Sequence, residues 1–171
     1  MGVQRKLVLA GAVAALLALV FFVAFQMVPV ERLAICDEKG RALDRINLPD
    51  GTFDYVFVHS VHLTPVIERY RVERTASPWG AALHLYELRY QSPGVGMPSD
   101  AEGGYRLEGG FFVLSMDRTF ARIPLRVSIV AGHGIVVGGQ FHPFTRWAPQ
   151  RGALVLRGET GWALRLRRYS T

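Results

Sequence analysis

The sequence predicts an all-β domain, sandwich- or barrel-like, that follows one N-terminal transmembrane helix. Two observations carry this. After residue 31, short runs of alternating apolar and polar residues recur about every 8–12 residues with turn-forming residues between them, the spacing of strands in antiparallel sandwiches and barrels. Before it, residues 7–30 form an apolar run interrupted only by Gln26, Pro29 and small residues. As a helix that run would measure about 36 Å at about 1.5 Å per residue, enough to cross a hydrocarbon core of about 30 Å. The expected organisation is therefore a cytoplasmic tip and membrane anchor over residues 1–30 and one β-domain over 31–171.

Arg5 and Lys6 precede the apolar run and favour a cytoplasmic N-terminus. The protein is expected in the cytoplasmic (inner) membrane, single-pass, with its C-terminal domain on the extracytoplasmic (periplasmic) side. A cleaved signal peptide fits less well, because its apolar region spans about 7–15 residues and ends in a small-x-small site. Here the run ends in Phe25-Gln26-Met27-Val28-Pro29. A lipoprotein processed at Cys36 is disfavoured by bulky Ile35 and charged Glu31-Arg32.

Residues 31–171 suit one domain with an ordinary core. Cys36 is the single cysteine, so packing must replace an intramolecular disulfide. The formal charge is +6, carried mostly by arginines scattered through the strand runs. That pattern reads as a solvated surface, and no nucleic-acid partner is expected.

The strand runs are 32–37 and 42–48 about the turn Glu38-Lys39-Gly40-Arg41, then 53–61, 66–75, 82–90, 111–116, 122–130 and 135–139. The runs 153–157 and 162–169 flank Gly158-Glu159-Thr160-Gly161, a hairpin signal. Residues 91–104 contain four glycines and two prolines. A loop of that length in a compact domain is usually functional or mobile; its backbone N–H groups could face an anion, or it is a packed surface Ω-loop.

The most informative stretch is 53–70, two alternating runs about a Thr64-Pro65 break. An antiparallel hairpin turning at 62–65 would set Val61 against Val66, His59 against Glu68, Phe57 against Tyr70 and Tyr55 against Val72. Period-two geometry then brings His59 and Glu68 together on one face. Charged groups rarely go inside unpaired, so this pair is the candidate polar site, either for binding or as a purely structural contact that fixes the register.

Other chemistries are weaker. His59, His62, Glu68, His133 and His142 could ligate zinc, but strand residues three apart face opposite ways and no metal-binding motif occurs. No metal or other cofactor is expected. Ser60 neighbours His59, yet adjacent strand residues point apart. No nucleophile elbow or Ser-x-x-Lys is present.

Residues 58–68, Val-His-Ser-Val-His-Leu-Thr-Pro-Val-Ile-Glu, resemble the His-Ser-Val…Thr-Pro-Val-x-Glu signature of a bacterial domain family of unknown function. Its members are typically encoded beside TRAP transporters of the TAXI type. The likeness continues through Tyr90-Gln91-Ser92-Pro93-Gly94-Val95-Gly96-Met97-Pro98, Gly110-Phe111-Phe112-Val113 and Met116-Asp117-Arg118. The resemblance implies a membrane-anchored accessory component of a TAXI-type TRAP solute transporter. Its partners would be the transporter's membrane subunits or its solute-binding protein, or it would bind the solute. The candidate binding residues are His59, Ser60, Thr64, Glu68, Tyr90, Ser92, Gly94, Gly96 and Arg118. The alternative reading is an extracytoplasmic, hydrolase-like enzyme using His59 and Glu68 as base and orienter.

Overall fold

A computed structural model describes residues 11, 13–17, 23–76, 80–92 and 104–166. Eleven strands account for most of them: β1 (Phe25–Cys36), β2 (Ala42–Leu48), β3 (Thr52–Val58), β4 (Pro65–Arg74), β5 (Ala81–Tyr90), β6 (Tyr105–Glu108), β7 (Phe111–Phe120), β8 (Ile123–Arg126), β9 (Gly134–Val137), β10 (Gln140–Pro143) and β11 (Ala153–Leu166). One 3-10 turn, Phe144–Arg146, follows β10. Residues Val30–Gly161 form one compact unit, and residues 1–29 with 162–171 form a second. In the second, Gly11, residues 13–17 and residues 23–24 are helical, while the described ends of β1 and β11 are extended.

The fold is all-β, with two antiparallel sheets. A four-stranded sheet runs β2-β1-β11-β8, and a seven-stranded sheet runs β10-β9-β3-β4-β5-β7-β6. Their inward residues share one core, a sandwich-like arrangement. Leu33, Ile35, Leu48, Leu154 and Leu156 come from the small sheet, and Phe53, Tyr70, Val72, Leu83, Leu85, Ile135 and Val137 from the large one. A second cluster of Val66, Leu88, Tyr90 and Leu114, with Phe57, Phe112 and Met116 against it, is built from the large sheet alone.

Two expectations are corrected. The expected anchor helix over residues 7–30 cannot reach Val30, because residues 25–30 belong to β1. Pro29 lacks the N–H and the space that a helix interior requires. No helix among the described residues is long and apolar enough to cross a membrane. Residues 7–10, 12 and 18–22 of the expected span lie outside the described residues. The second correction concerns 158–161, which form no hairpin, since β11 runs unbroken from Ala153 to Leu166. Those glycines serve packing. A Cβ on Gly158 would meet Val72 at 3.2 Å and Leu83 at 3.3 Å, and one on Gly161 would meet the Arg32 guanidinium at 3.0 Å.

Strands β6 and β10 went unforeseen, yet each has a signal. They join their neighbours through Gly109-Gly110 and Gly138-Gly139, all four at positive φ. Two such residues in succession form the type I′ turn whose twist suits a tight hairpin. On the outward face of the small sheet, Ala34 and Cys36 are buried. The Arg45–Glu159–Arg157 bridge, at 2.8 and 2.9 Å, ties β2 to β11, and β1 lies between those strands. Burial pushes the Cys36 thiol above its ordinary range.

Candidate functional site

The β3–β4 hairpin turns earlier than expected. Its ladder pairs Phe53 with Tyr70, Tyr55 with Glu68, Phe57 with Val66 and Val58 with Pro65. The register is thus four residues from the predicted one, and His59 does not meet Glu68. The His59 N–H instead donates to the Thr64 carbonyl at 2.9 Å. Glu68 stands four residues farther along β4, about 13 Å away at about 3.3 Å per residue.

The cause is His59 itself. Its Nδ1 accepts the backbone N–H groups of Val61 and His62, each at 3.2 Å, and its carbonyl accepts the Leu63 N–H at 2.9 Å. These bonds close residues 59–64 into a loop in which Leu63 takes φ +53°. His59 is the staple of a wide turn. His62 also lies in this loop, with its ring centroid 4.9 Å from that of His59.

Because the slip is even, each residue keeps its face. Tyr55, Phe57, Glu68 and Tyr70 point inward, while Asp54 and Arg69 point outward and pair at 3.5 Å. Along β4 the inward residues are Val66, Glu68, Tyr70 and Val72. Glu68 therefore sits between the Val66 cluster and the main core. Its Oε2 accepts the Tyr70 hydroxyl at 2.7 Å, and the Tyr70 ring stacks on Phe53 at 5.2 Å.

Across the ladder, the Tyr55 hydroxyl lies 3.1 Å from His133 Nδ1. His133 is buried, and its Nε2 accepts the Ser128 backbone N–H at 2.7 Å. That bond fixes the tautomer: the proton is on Nδ1, which donates to the Tyr55 oxygen. Phe144 meets the His133 ring edge-on at 5.1 Å and lies 5.6 Å from Tyr55. Tyr55, Glu68, Tyr70 and His133 thus place four polar side chains on the inner face, at the border of two apolar clusters.

Burial sets the protonation of this group. It pushes the Glu68 carboxyl above the usual carboxylate range, against the Tyr70 hydrogen bond that favours the anion. It pushes Tyr55 up to about 12, with the Glu68 charge adding to it. Tyr70 is raised for the same two reasons, and the His133 imidazole is lowered.

For Glu68 the native state binds more protons than the unfolded chain, so its contribution to stability falls as pH rises from the ordinary carboxylate pKa through the raised one. Glu68→Gln keeps an oxygen for Tyr70 and removes the ionisation. Unfolding free energies measured against pH should show the wild type losing ground to Glu68→Gln across that window. Parallel curves would show that Glu68 is not desolvated.

The other candidates are dispersed. Tyr90 is buried opposite Val66 and Phe112, and stacks on Phe112 at 5.6 Å. Arg118 lies opposite Leu85 on the same face, and is exposed. Glu68, Tyr90 and Arg118 thus share the inner face in three different cross-strand rows. Ser60 and Thr64 belong to the stapled loop, and half-buried Ser92 follows β5. Gly94 and Gly96 lie outside the described residues. Among the described residues, no three His, Cys, Asp or Glu side chains are grouped to hold a metal ion.

Tyr55, Tyr70 and His133 are site residues absent from the candidate binding residues, His133 having been weighed only as a metal ligand. The signal was present in the 128–137 segment, where a histidine precedes Gly134 and an Ile-Val-Val run. Its pairing with Tyr55 needs the β3–β9 ladder, which sets Tyr55 against Ile135.

A family model described as Domain of unknown function (DUF1850) matches residues 53–144, more than half of the chain. The chain belongs to the DUF1850 family. The matched segment has a structural meaning, since it holds almost the whole seven-stranded sheet, from β3 to β10, together with Tyr55, Glu68, Tyr70, His133 and Phe144. Strands β1, β2 and β11 lie outside it, so the DUF1850 segment carries the candidate site while those strands help close the core over it. No curated protein and no solved structure matches the chain.

Proposed function

We propose that this DUF1850 protein is a binding component, without catalysis of its own, of a TAXI-type TRAP solute transporter, contacting the membrane subunits, the solute-binding protein or the solute. The observation that carries the binding reading is the bonding of the two histidines. Both ring nitrogens of His133 are engaged, and His59 Nδ1 is spent on two backbone N–H groups. Neither arrangement leaves an imidazole set to take a proton from a neighbouring hydroxyl, which general-base catalysis requires. A few fixed polar groups beside apolar surface suit recognition. The sequence signature in the 58–68 segment supports the transporter assignment.

In this reading the domain stands on the periplasmic side of the inner membrane. The anchor is the apolar run that precedes the β-domain, part of which lies outside the described residues. Removing the protein should lower uptake of the transporter's solute while the membrane subunits stay at their normal level. Unchanged uptake over a range of solute concentrations would count against the accessory role.

A further inference from the structure

We propose that the edge of β6, open among the described residues, pairs with β6 of a second copy of this chain, joining two seven-stranded sheets into one. Strand β6 is the terminal strand of its sheet, and all four of its residues are exposed. On its inner face stand Tyr105, 57% exposed, and Leu107, 70% exposed. They lie opposite Leu114 and Phe112, so the apolar inner surface of the sheet runs out to an open border. On the outer face stand Arg106 and Glu108.

The backbone settles which groups are free. Glu108 and Phe111 close the two-residue Gly109-Gly110 turn, at φ +58° and +81°. In a type I′ hairpin that closing pair exchanges both hydrogen bonds, and the next such pair lies two residues on. Glu108 and Arg106 therefore spend their backbone groups on β7. Those of Leu107 and Tyr105 point to the open edge.

A two-fold axis perpendicular to the sheet keeps faces matched only when the pairing is centred on a residue. Centring on Leu107 uses its free N–H and carbonyl in a reciprocal hydrogen-bonded pair with the partner subunit's Leu107. The same register sets Arg106 against the partner subunit's Glu108, and Glu108 against the partner subunit's Arg106. Both fall at non-hydrogen-bonded positions, where opposed Cβ atoms lie about 4.5–5.5 Å apart and opposite charges attract. Centring on Arg106 or Glu108 would instead oppose like charges.

Charges on an edge strand commonly discourage pairing, but here their spacing complements a second copy of themselves. Within one chain they also pair with each other at 3.3 Å and belong to a wider ladder. Arg106 reaches Glu87 at 2.7 Å and Glu108 reaches Arg89 at 2.7 Å. Arg69 and Arg89 meet Glu87 at 3.0 and 2.9 Å. The ladder holds both side chains on the outer face, reaching across β7 towards β5.

Sedimentation of the full chain in detergent tests this. The wild type should be dimeric. Arg106→Glu gives two acidic residues per edge and Glu108→Arg gives two basic ones, so each alone should shift to monomer. Mixing the two variants should restore a dimer made of one of each, an outcome that damage to either fold cannot produce. As a separate readout, Leu107→Cys sits at the axis and should oxidise to a covalent dimer, with buried Cys36 unable to compete. A monomeric wild type, variants that remain dimeric alone, a mixture that stays monomeric, or a Leu107→Cys chain that does not cross-link would each overturn the proposal.

Discussion

Gly134→Ala should destabilise the domain by about 3 kcal/mol, the upper end of ordinary overpacking costs. Gly134 begins β9 and lies opposite Pro143 in β10 and Val56 in β3. A Cβ there would clash with the His142 carbonyl oxygen and come within 2.6 Å of the Phe141 ring. The ring can swing aside, but the carbonyl belongs to the β9–β10 ladder and cannot yield without parting the strands. His133 is the preceding residue, so any backbone adjustment also disturbs its bonds to Tyr55 and Ser128. For a domain of this size the loss corresponds to a melting temperature lower by about 10 °C. Denaturant unfolding of the two proteins measures it directly. A change within about 0.5 kcal/mol, the range of an ordinary surface substitution, would mean that β10 is not seated against β9 in this way.

His133→Phe is the second large effect. The new ring retains the shape that packs against Phe144 but removes both polar contacts. The Ser128 N–H loses its acceptor, and the Tyr55 hydroxyl loses its donor. Two stranded groups cost about 2–4 kcal/mol together. Adding Tyr55→Phe removes one of them, so the double variant should be less destabilised than the two single effects predict together.

The pH dependence has a definite sign. Burial lowers the His133 pKa, so the native state excludes a proton that the unfolded chain accepts. His133 therefore costs stability as pH falls below the ordinary histidine value of about 6.5. His133→Phe should flatten that part of the stability curve. An unchanged acid limb together with additive single effects would show that His133 and Tyr55 are not coupled.

Much of the architecture was legible because strand alternation is a local property. Residues 42–48 were delimited as observed, and β3, β4 and β5 were found to within three residues at either end. The inner face of the hairpin was assigned correctly as well, since period-two parity survives an even slip. The register did not survive, because the length of a turn depends on bonds a side chain makes to its own backbone. His59 spends its imidazole on Val61 and His62, and that choice cannot be read from alternation. The glycines at 158 and 161 show the same limit. A glycine required by close packing is written identically to one required by a turn, and only the positions of Val72, Leu83 and Arg32 tell them apart. The partnership of Tyr55 with His133 joins residues 78 apart, and it becomes visible only once β3 and β9 are neighbours.

The four-stranded sheet sets its first strand beside its last, since β1 lies against β11. Chain synthesis therefore presents half of the core long before its closing strand exists. Leu33 and Ile35 emerge early, whereas Leu154 and Leu156, which complete the same cluster, emerge last. Pairing between such distant segments bears the largest loop-closure cost, and it places folding among the slower β-topologies. Until β11 arrives, the inner face of the small sheet is open along β1. A nascent chain in that state exposes apolar edges that invite wrong partners. The final strand thus acts as a completion check, because shortening β11 would withhold Leu154 and Leu156 from a core otherwise already made.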